Sequence, residues 1–121
     1  LGVRGDARKF EIGPPADADA RFAALASETR IEGLARPVLL GRGRYFDVLR
    51  GLWDEHATGP EATLVCGDVY ELDLALPGAL GAHVQLVVHS RTLAHERAAV
   101  KKLPRGAVGT SLTAVLDRVR A

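Results

Sequence analysis

The sequence predicts a single α/β domain, Rossmann-like in class, whose parallel sheet is covered by helices on both faces. Short apolar runs alternate with segments of helical periodicity from about residue 37 onward. The length of 121 residues suits one domain of ordinary size. Strands that are joined through helices form right-handed βαβ units, which place the strands parallel to one another. We therefore expect residues 1–121 to form one such domain.

Composition and charge exclude several classes of protein. Hydrophobic residues make up 47% and charged residues 26% of the chain, and a net charge of +1 offers no basic surface for nucleic acid. No run approaches the roughly 20 apolar residues of a membrane span. The single Cys66, within an apolar run, gives no disulfide framework. These features predict a cytoplasmic protein that binds neither nucleic acid nor membranes.

The first third of the chain has the weakest pattern. Residues 1–12 are interpreted as one strand with its turn, and residues 18–27 as a short alanine-rich helix. Residues 37–40 form an apolar run that predicts a buried strand, which ends in the glycine-rich turn Gly41-Arg42-Gly43-Arg44.

The helix after this turn has the clearest pattern in the sequence. Five apolar residues recur at helical spacing and define one buried stripe: Tyr45, Val48, Leu49, Leu52 and Trp53. Trp53 is accordingly interpreted as a core residue.

The second half continues the alternation of strands and helices. Residues 63–66 predict a second buried strand that stops at Gly67-Asp68. The next predicted helix spans residues 73–80, with Pro77 in its first turn and Gly81 as its stop. The remaining predicted elements are a strand at 83–88, a helix at 93–103, a short edge strand at 106–109 and a helix from Ser111.

Two aspartates follow the second of these strands. Asp68 lies at the carboxyl end of the strand, where open parallel sheets bind their ligands. Asp73 comes five residues later, at the start of the predicted helix, and its carboxylate can fold back towards Asp68. Two converging carboxylates suit Mg²⁺, which keeps waters and also binds a substrate phosphate. The alternative is that Asp68 only ends a strand and Asp73 only caps a helix.

The segment from Val65-Cys66-Gly67-Asp68 to Asp73, with the helix and strand after it, resembles the fourth motif (GDxxxxD) of the haloacid-dehalogenase-like (HAD) hydrolases. The resemblance covers residues 38–121. It implies an HAD-like core that hydrolyses a small phosphorylated metabolite, Mg²⁺ as cofactor, and Asp68 and Asp73 as the metal ligands. Glu71, between the two aspartates, is a weaker candidate for the same role, and a solvated side chain is the preferred interpretation.

HAD enzymes also place a Lys or Arg near the start of the preceding helix, where it contacts the nucleophile and the transferring phosphoryl group. Arg42 and Arg44 lie at that place, at a helix N-terminus that itself favours anions. The resemblance therefore implies that one of them has the basic catalytic role. The alternative is that both are surface arginines in a glycine turn.

The nucleophile motif of the family, a buried strand that ends in Asp-x-Asp, is not recognisable. The pair Asp17-Ala18-Asp19 has this spacing, but it follows Gly13-Pro14-Pro15 rather than an apolar strand. We therefore expect that the chain lacks an N-terminal segment with the nucleophile and cap, or that it is a degenerate member, and that it is inactive alone. A lacking strand predicts an open sheet edge, which favours association into homo-oligomers.

Two other functions compete with this interpretation. Residues 73–78 with Gly81 resemble the phospho-acceptor loop of response-regulator receiver domains, but the acidic pair and the strand-end Lys of a receiver are not evident. A catalytically silent interaction domain is the third reading, which exposure of Trp53 or Tyr70 would support. The segment His89-Ser90-Arg91 follows the third strand on the sheet edge of Asp68 and is interpreted as a plain loop or as pocket lining. No role is assigned to the other histidines, His56, His83 and His95.

Overall fold

A computed structural model describes residues 7–120, which form a mixed α/β structure. The strands are β1 Glu28–Thr29, β2 Val38–Leu39, β3 Leu64–Gly67, β4 His83–Val87 and β5 Gly106–Gly109. The α-helices are α1 Ala20–Ala23, α2 Gly43–Glu55, α3 Ala75–Ala79, α4 Ala94–Lys102 and α5 Leu112–Arg120. A 3-10 turn, Pro60–Ala62, precedes β3, and a π-helical turn, Tyr70–Leu74, leads into α3.

The main sheet has three parallel strands in the order β3-β4-β5. Its register pairs Val65 with Val84 and Val84 with Gly106. Helices α3 and α4 connect consecutive strands, so the prediction of parallel strands joined through helices is confirmed for this part of the chain. The short strand predicted at residues 106–109 is confirmed as the edge strand β5.

Strand β2 does not belong to the main sheet, and the prediction that residues 37–40 add a parallel strand is wrong. β2 pairs antiparallel with β1 in a separate two-stranded sheet. The Leu39 amide donates to the Glu71 carboxylate (3.1 Å), and the Leu40 amide donates to the Ser27 carbonyl (2.9 Å). These bonds satisfy the donors that a parallel ladder would have used.

One face of the main sheet packs against the π-helical turn and α4. Val84 and Leu86 alternate along β4 onto this face and are fully buried. They join Leu74 of the π-helical turn and Val100 of α4 in one hydrophobic cluster. Helix α5 lies near the other face, where Arg118 donates to the side-chain oxygen of the buried Gln85 (3.1 Å).

Helix α2 confirms the apolar stripe, although the stripe is centred one position away from the prediction. Phe46 is fully buried, whereas Val48 and Leu52 are only partly buried. Trp53 is buried as predicted, and its ring nitrogen donates to the Thr63 hydroxyl (2.9 Å). α2 thereby packs on the segment that leads into β3.

The helix predicted at residues 73–80 begins earlier and with a different geometry. The π-helical turn starts at Tyr70, so Asp73 lies inside it rather than at a helix start. Pro77 has no N–H for the Asp73 carbonyl four residues before it, and the Tyr45 hydroxyl donates to that carbonyl instead (2.6 Å). Gly81 ends the segment at φ +98°, as a glycine stop requires.

Three further expectations need correction. Cys66 is exposed and the other residues of β3 are only partly buried, so the strand predicted at residues 63–66 is not fully buried. The helix predicted at residues 18–27 is limited to Ala20–Ala23. Of the strand predicted at residues 1–12, residues 1–6 lie outside the described residues, and residues 7–12 form no strand.

Candidate functional site

A cavity of about 350 Å³ lies at the carboxyl ends of β3 and β4. Asp68 follows β3 directly, and the segment His89-Ser90-Arg91 follows β4 after Val88. Asp68, His89 and Arg91 all line the cavity. The predicted common sheet edge is therefore present, and this edge is where parallel sheets bind ligands.

Asp68 is the accessible acid of the cavity. Its side chain is 61% exposed, and its Oδ2 lies 3.7 Å from the Nε2 of His89. This distance is too long for a hydrogen bond. The Asp68 carboxylate thus remains open to a ligand.

The imidazole of His89 is held by its own loop. Its Nδ1 accepts a hydrogen bond from the Arg91 amide (3.0 Å), and the His89 amide donates to the Thr92 hydroxyl (2.9 Å). A neutral imidazole that accepts at Nδ1 carries its proton on Nε2, which faces Asp68. Neither ring nitrogen is then free to act as a general base, and His89 instead positions the Arg91 loop.

Asp73 is engaged by other groups. Its Oδ1 accepts from the Lys9 ammonium (2.9 Å) and its Oδ2 from the Val69 amide (3.1 Å), and the side chain is 14% exposed. A Cβ at Gly67 would lie 2.5 Å from the Asp73 Cβ, so a glycine is needed there for close approach. In residues 7–120 no three His, Cys, Asp or Glu side chains are grouped to hold a metal ion.

The interpretation of Glu71 as solvated is wrong. Its carboxylate, 16% exposed, accepts from Arg36 (2.6 Å), from Arg42 (3.0 Å) and from the Leu39 amide (3.1 Å). Burial by itself would raise the pKa of Glu71, but the hydrogen bonds from Arg36 and Leu39 and the charges of both arginines hold it below its ordinary value. Glu71 thus fastens the π-helical turn to β2.

The two candidate arginines have different surroundings. Arg42 is buried and makes three kinds of contact, to the Leu39 carbonyl (3.0 Å), the Lys9 carbonyl (2.8 Å) and Glu71. Its donors are therefore used within the fold. Arg44 is exposed and lines a shallow groove beside Pro14 and Asp47 rather than the cavity. The structure does not bring either arginine to the cavity that holds Asp68.

The tyrosines near the site are protonated hydrogen-bond donors or core residues. Burial, and then the neighbouring charge of Asp73, raises the pKa of Tyr45, whose hydroxyl donates to the Asp73 carbonyl. Burial, and then the charge of Glu71, raises the pKa of Tyr70. Tyr70 and Trp53 are both buried, so neither provides the exposed aromatic surface that an interaction domain would use.

Sequence reasoning missed three residues of the cavity. Glu96 accepts from the Leu93 amide and from the Tyr70 amide (both 3.0 Å), which ties the start of α4 to the π-helical turn. A Glu three residues into a helix is a known capping signal and could have indicated this contact. Arg36 and His95 also line the cavity. No local pattern marks them, because Arg36 lies in the segment before β2, His95 lies in the first turn of α4, and only the tertiary fold brings the two to one cavity.

The pair Asp17-Ala18-Asp19 serves the local fold. Asp19 caps α1 by accepting from the Arg21 amide (2.8 Å) and pairs with the Arg21 guanidinium (3.0 Å). The hydrogen bond from Arg21 holds the pKa of Asp19 below its ordinary value. Asp17 is almost fully exposed.

Comparisons with protein-family models, with curated proteins and with solved structures find no match to this chain. Within residues 7–120 no helix is long and apolar enough to cross a membrane.

Proposed function

We propose that this chain forms the metal-binding end of an HAD-like hydrolase core that acts on phosphomonoesters with Mg²⁺. The observation that carries the proposal is the position of Asp68, an exposed carboxylate at the carboxyl end of β3 in a cavity shared with His89 and Arg91. An accessible carboxylate in the same cavity as the guanidinium of Arg91 suits a site for a metal ion and a phosphate group.

Only one of the two candidate carboxylates is ready to bind Mg²⁺. Asp68 offers a free carboxylate, whereas Asp73 would have to release Lys9 before it could bind a cation. Mg²⁺ keeps several waters and takes one or two carboxylates, so a single acid is enough for weak binding, about millimolar. When bound, Mg²⁺ would neutralise phosphate oxygens. Asp68 would hold it, and Arg91 would orient the phosphate.

The proposal leaves the attacking carboxylate to polypeptide outside residues 7–120. Asp19 in the Asp-x-Asp pair is bound by Arg21, and no strand lies between residue 7 and the pair. The side of β3 that faces away from β4 has no strand partner within the described residues. A further strand placed there would bring its carboxyl end next to Asp68.

Titration with Mg²⁺ followed by ¹H–¹⁵N NMR tests the metal role of Asp68. We expect fast-exchange shifts at Gly67, Asp68 and Val69, and their loss in Asp68→Asn. Asp117→Asn, which removes an exposed aspartate from α5, is the matched control and should keep the wild-type response. Shifts that persist in Asp68→Asn, or that lie only in another region, would remove the assignment.

A further inference from the structure

The wall and the rim of the cavity differ in chemistry. The wall is formed by apolar side chains, among them Ile31, Leu34 and Val38, and Leu93 at its edge is 56% exposed. An apolar side chain this exposed beside a cavity offers contact area to a ligand. The rim is formed by charged side chains, and the way they are paired determines which charge a ligand should carry. These side chains are Arg36, Asp68, Glu71, Arg91 and Glu96.

Most of the rim charges are already compensated. Arg36 pairs with Glu71, and Glu96 accepts from two backbone amides. Asp68 is the exposed acid of the rim, and its Oδ2 lies 3.7 Å from the Nε2 of His89, too far for a hydrogen bond. The guanidinium of Arg91 is different, because no hydrogen bond or ion pair is found for it within residues 7–120. An arginine fork without a partner is suited to a phosphate or a carboxylate.

We infer that the cavity binds a small amphipathic anion, with its apolar body against Ile31, Leu34 and Leu93 and its phosphate or carboxylate at Arg91. The inference rests on the proposed function for the location of the site and deepens it by naming the substrate class. At about 350 Å³ the cavity lies near the lower end of ordinary ligand sites, about 300–1,000 Å³, which limits the ligand to a small molecule.

The charge of Asp68 predicts how a substitution there changes the affinity for the anion, and this change can be measured without metal. Its carboxylate lies in the same cavity as Arg91 and repels an anion when no cation is bound. Asp68→Asn should therefore bind the anion as tightly as the wild type, or more tightly, in the presence of EDTA. The same substitution removes the Mg²⁺ response of the proposed function.

The probe is phenyl phosphate, titrated by NMR in EDTA beside inorganic phosphate, benzoate and benzyl alcohol. We expect phenyl phosphate to shift the amides of Val69, Arg91 and Leu93 and to bind about tenfold more tightly than inorganic phosphate or benzyl alcohol, each of which has only one of the two features. Benzoate shows whether a carboxylate replaces the phosphate. Equal binding of phenyl phosphate and inorganic phosphate would show that the apolar wall is not used and would overturn the inference.

Two arginine variants distinguish a direct contact between Arg91 and the ligand from a general effect of the positive charge of the protein. Arg91→Gln should weaken phenyl phosphate about fivefold, a modest factor because the side chain is exposed. Arg97→Gln, which removes an exposed arginine of α4 outside the cavity, should change it little. Equal losses in both variants would contradict the role of Arg91.

The outcome also distinguishes this inference from the proposed function. An Mg²⁺ response at Asp68 without phenyl phosphate binding in EDTA would overturn the inference and support the proposed function. Phenyl phosphate binding that survives in Asp68→Asn, with no Mg²⁺ response in the wild type, would support the inference and overturn the metal role.

Discussion

The acidic side chains of the π-helical turn and Asp68 at the rim of the cavity have opposite surroundings. In the turn, Glu71 and Asp73 are largely buried and each accepts from a cationic side chain and a backbone amide. On the rim, Asp68 is exposed and has only a distant imidazole beside it. The carboxylates of the turn hold the chain together, whereas the carboxylate of Asp68 is available to a ligand.

This difference has an energetic reason. A buried carboxylate is stable only if hydrogen bonds and opposite charges replace its hydration. If the carboxylate is removed by substitution, the cation that was paired with it remains buried without a partner, which destabilises the fold. An exposed carboxylate keeps its water and contributes little to folding. Substitutions in the turn should therefore change stability, and substitutions on the rim should change binding.

The largest effect is expected for Glu71→Ala. It leaves Arg42, whose side chain is 5% exposed, without its carboxylate partner. We expect the free energy of unfolding to fall by about 2–3 kcal/mol, measured by urea denaturation. Glu32→Ala is the matched control, since Glu32 pairs with Lys102 at 3.1 Å but both side chains are exposed, and it should cost under about 0.5 kcal/mol. Similar losses in the two variants would show that burial does not distinguish the pairs.

The contribution of Glu71 should also depend on pH. Because the pKa of Glu71 is below its ordinary value of 4.5, the folded state favours its ionised form. This stabilisation is present above the ordinary pKa and is lost as the pH falls through the lowered value. The difference in unfolding free energy between the wild type and Glu71→Gln should therefore narrow between pH 6 and pH 3. A difference that stays constant over this range would show that the charge of Glu71 is not involved.

The next largest loss of stability is expected at Gly67, the last residue of β3, which lies against Asp73. A methyl group in Gly67→Ala would meet the Cβ and Oδ2 of Asp73 at 2.5 Å, and we expect a loss of about 1–2 kcal/mol in unfolding free energy. Gly51→Ala is the control, since no atom lies within 4 Å of its added Cβ in α2, and it should gain about 0.5–1 kcal/mol. If Gly67→Ala were as stable as the wild type, Asp73 would not be packed against β3.

The regularity of the main sheet could be predicted from the sequence, because it depends on local patterns. Apolar runs and helical spacing identify β3, β4 and α2, and the glycine stop at Gly81 is a local signal. The edge that holds Asp68 and His89 follows from strand direction alone. These features needed no knowledge of distant contacts.

The partners of the acidic side chains could not be predicted in this way. Lys9 lies 64 positions before Asp73, and Arg36 lies 35 positions before Glu71. The sequence around Glu71 is compatible with a solvated and with a paired carboxylate, so only the tertiary fold shows which of these states is present. The Leu39 amide of β2 donates to the same carboxylate, which lies 32 positions further along the chain.

A smaller effect is expected for Lys9→Gln. The Lys9–Asp73 pair joins a side chain that is 39% exposed to one that is 14% exposed, so its loss should cost about 0.5–1 kcal/mol. The Oδ1 of Asp73 would then lose its cationic partner, while Oδ2 still accepts from the Val69 amide, and the Mg²⁺ shifts should extend from Asp68 to Asp73 with tighter binding. Unchanged Mg²⁺ affinity in Lys9→Gln would show that Asp73 is not a second ligand and that the metal role belongs to Asp68 alone.

In the last experiment we expect no change: Asp73 should not be phosphorylated by a small phosphodonor. This result distinguishes a metal ligand from a phospho-acceptor. In a receiver domain the residue at the place of Asp73 would itself attack a phosphodonor, with Mg²⁺ on neighbouring acids. In this structure both oxygens of Asp73 already accept hydrogen bonds, from Lys9 and from the Val69 amide, and no group of three acids surrounds it within residues 7–120. Incubation with acetyl phosphate and Mg²⁺ should therefore leave the intact mass unchanged, and the Lys9→Gln variant extends the test to an Asp73 whose Oδ1 has lost its lysine partner. A phosphate adduct mapped to Asp73, lost in Asp73→Asn and kept in Asp68→Asn, would favour the receiver function, because only an attacking carboxylate forms a bond to phosphorus.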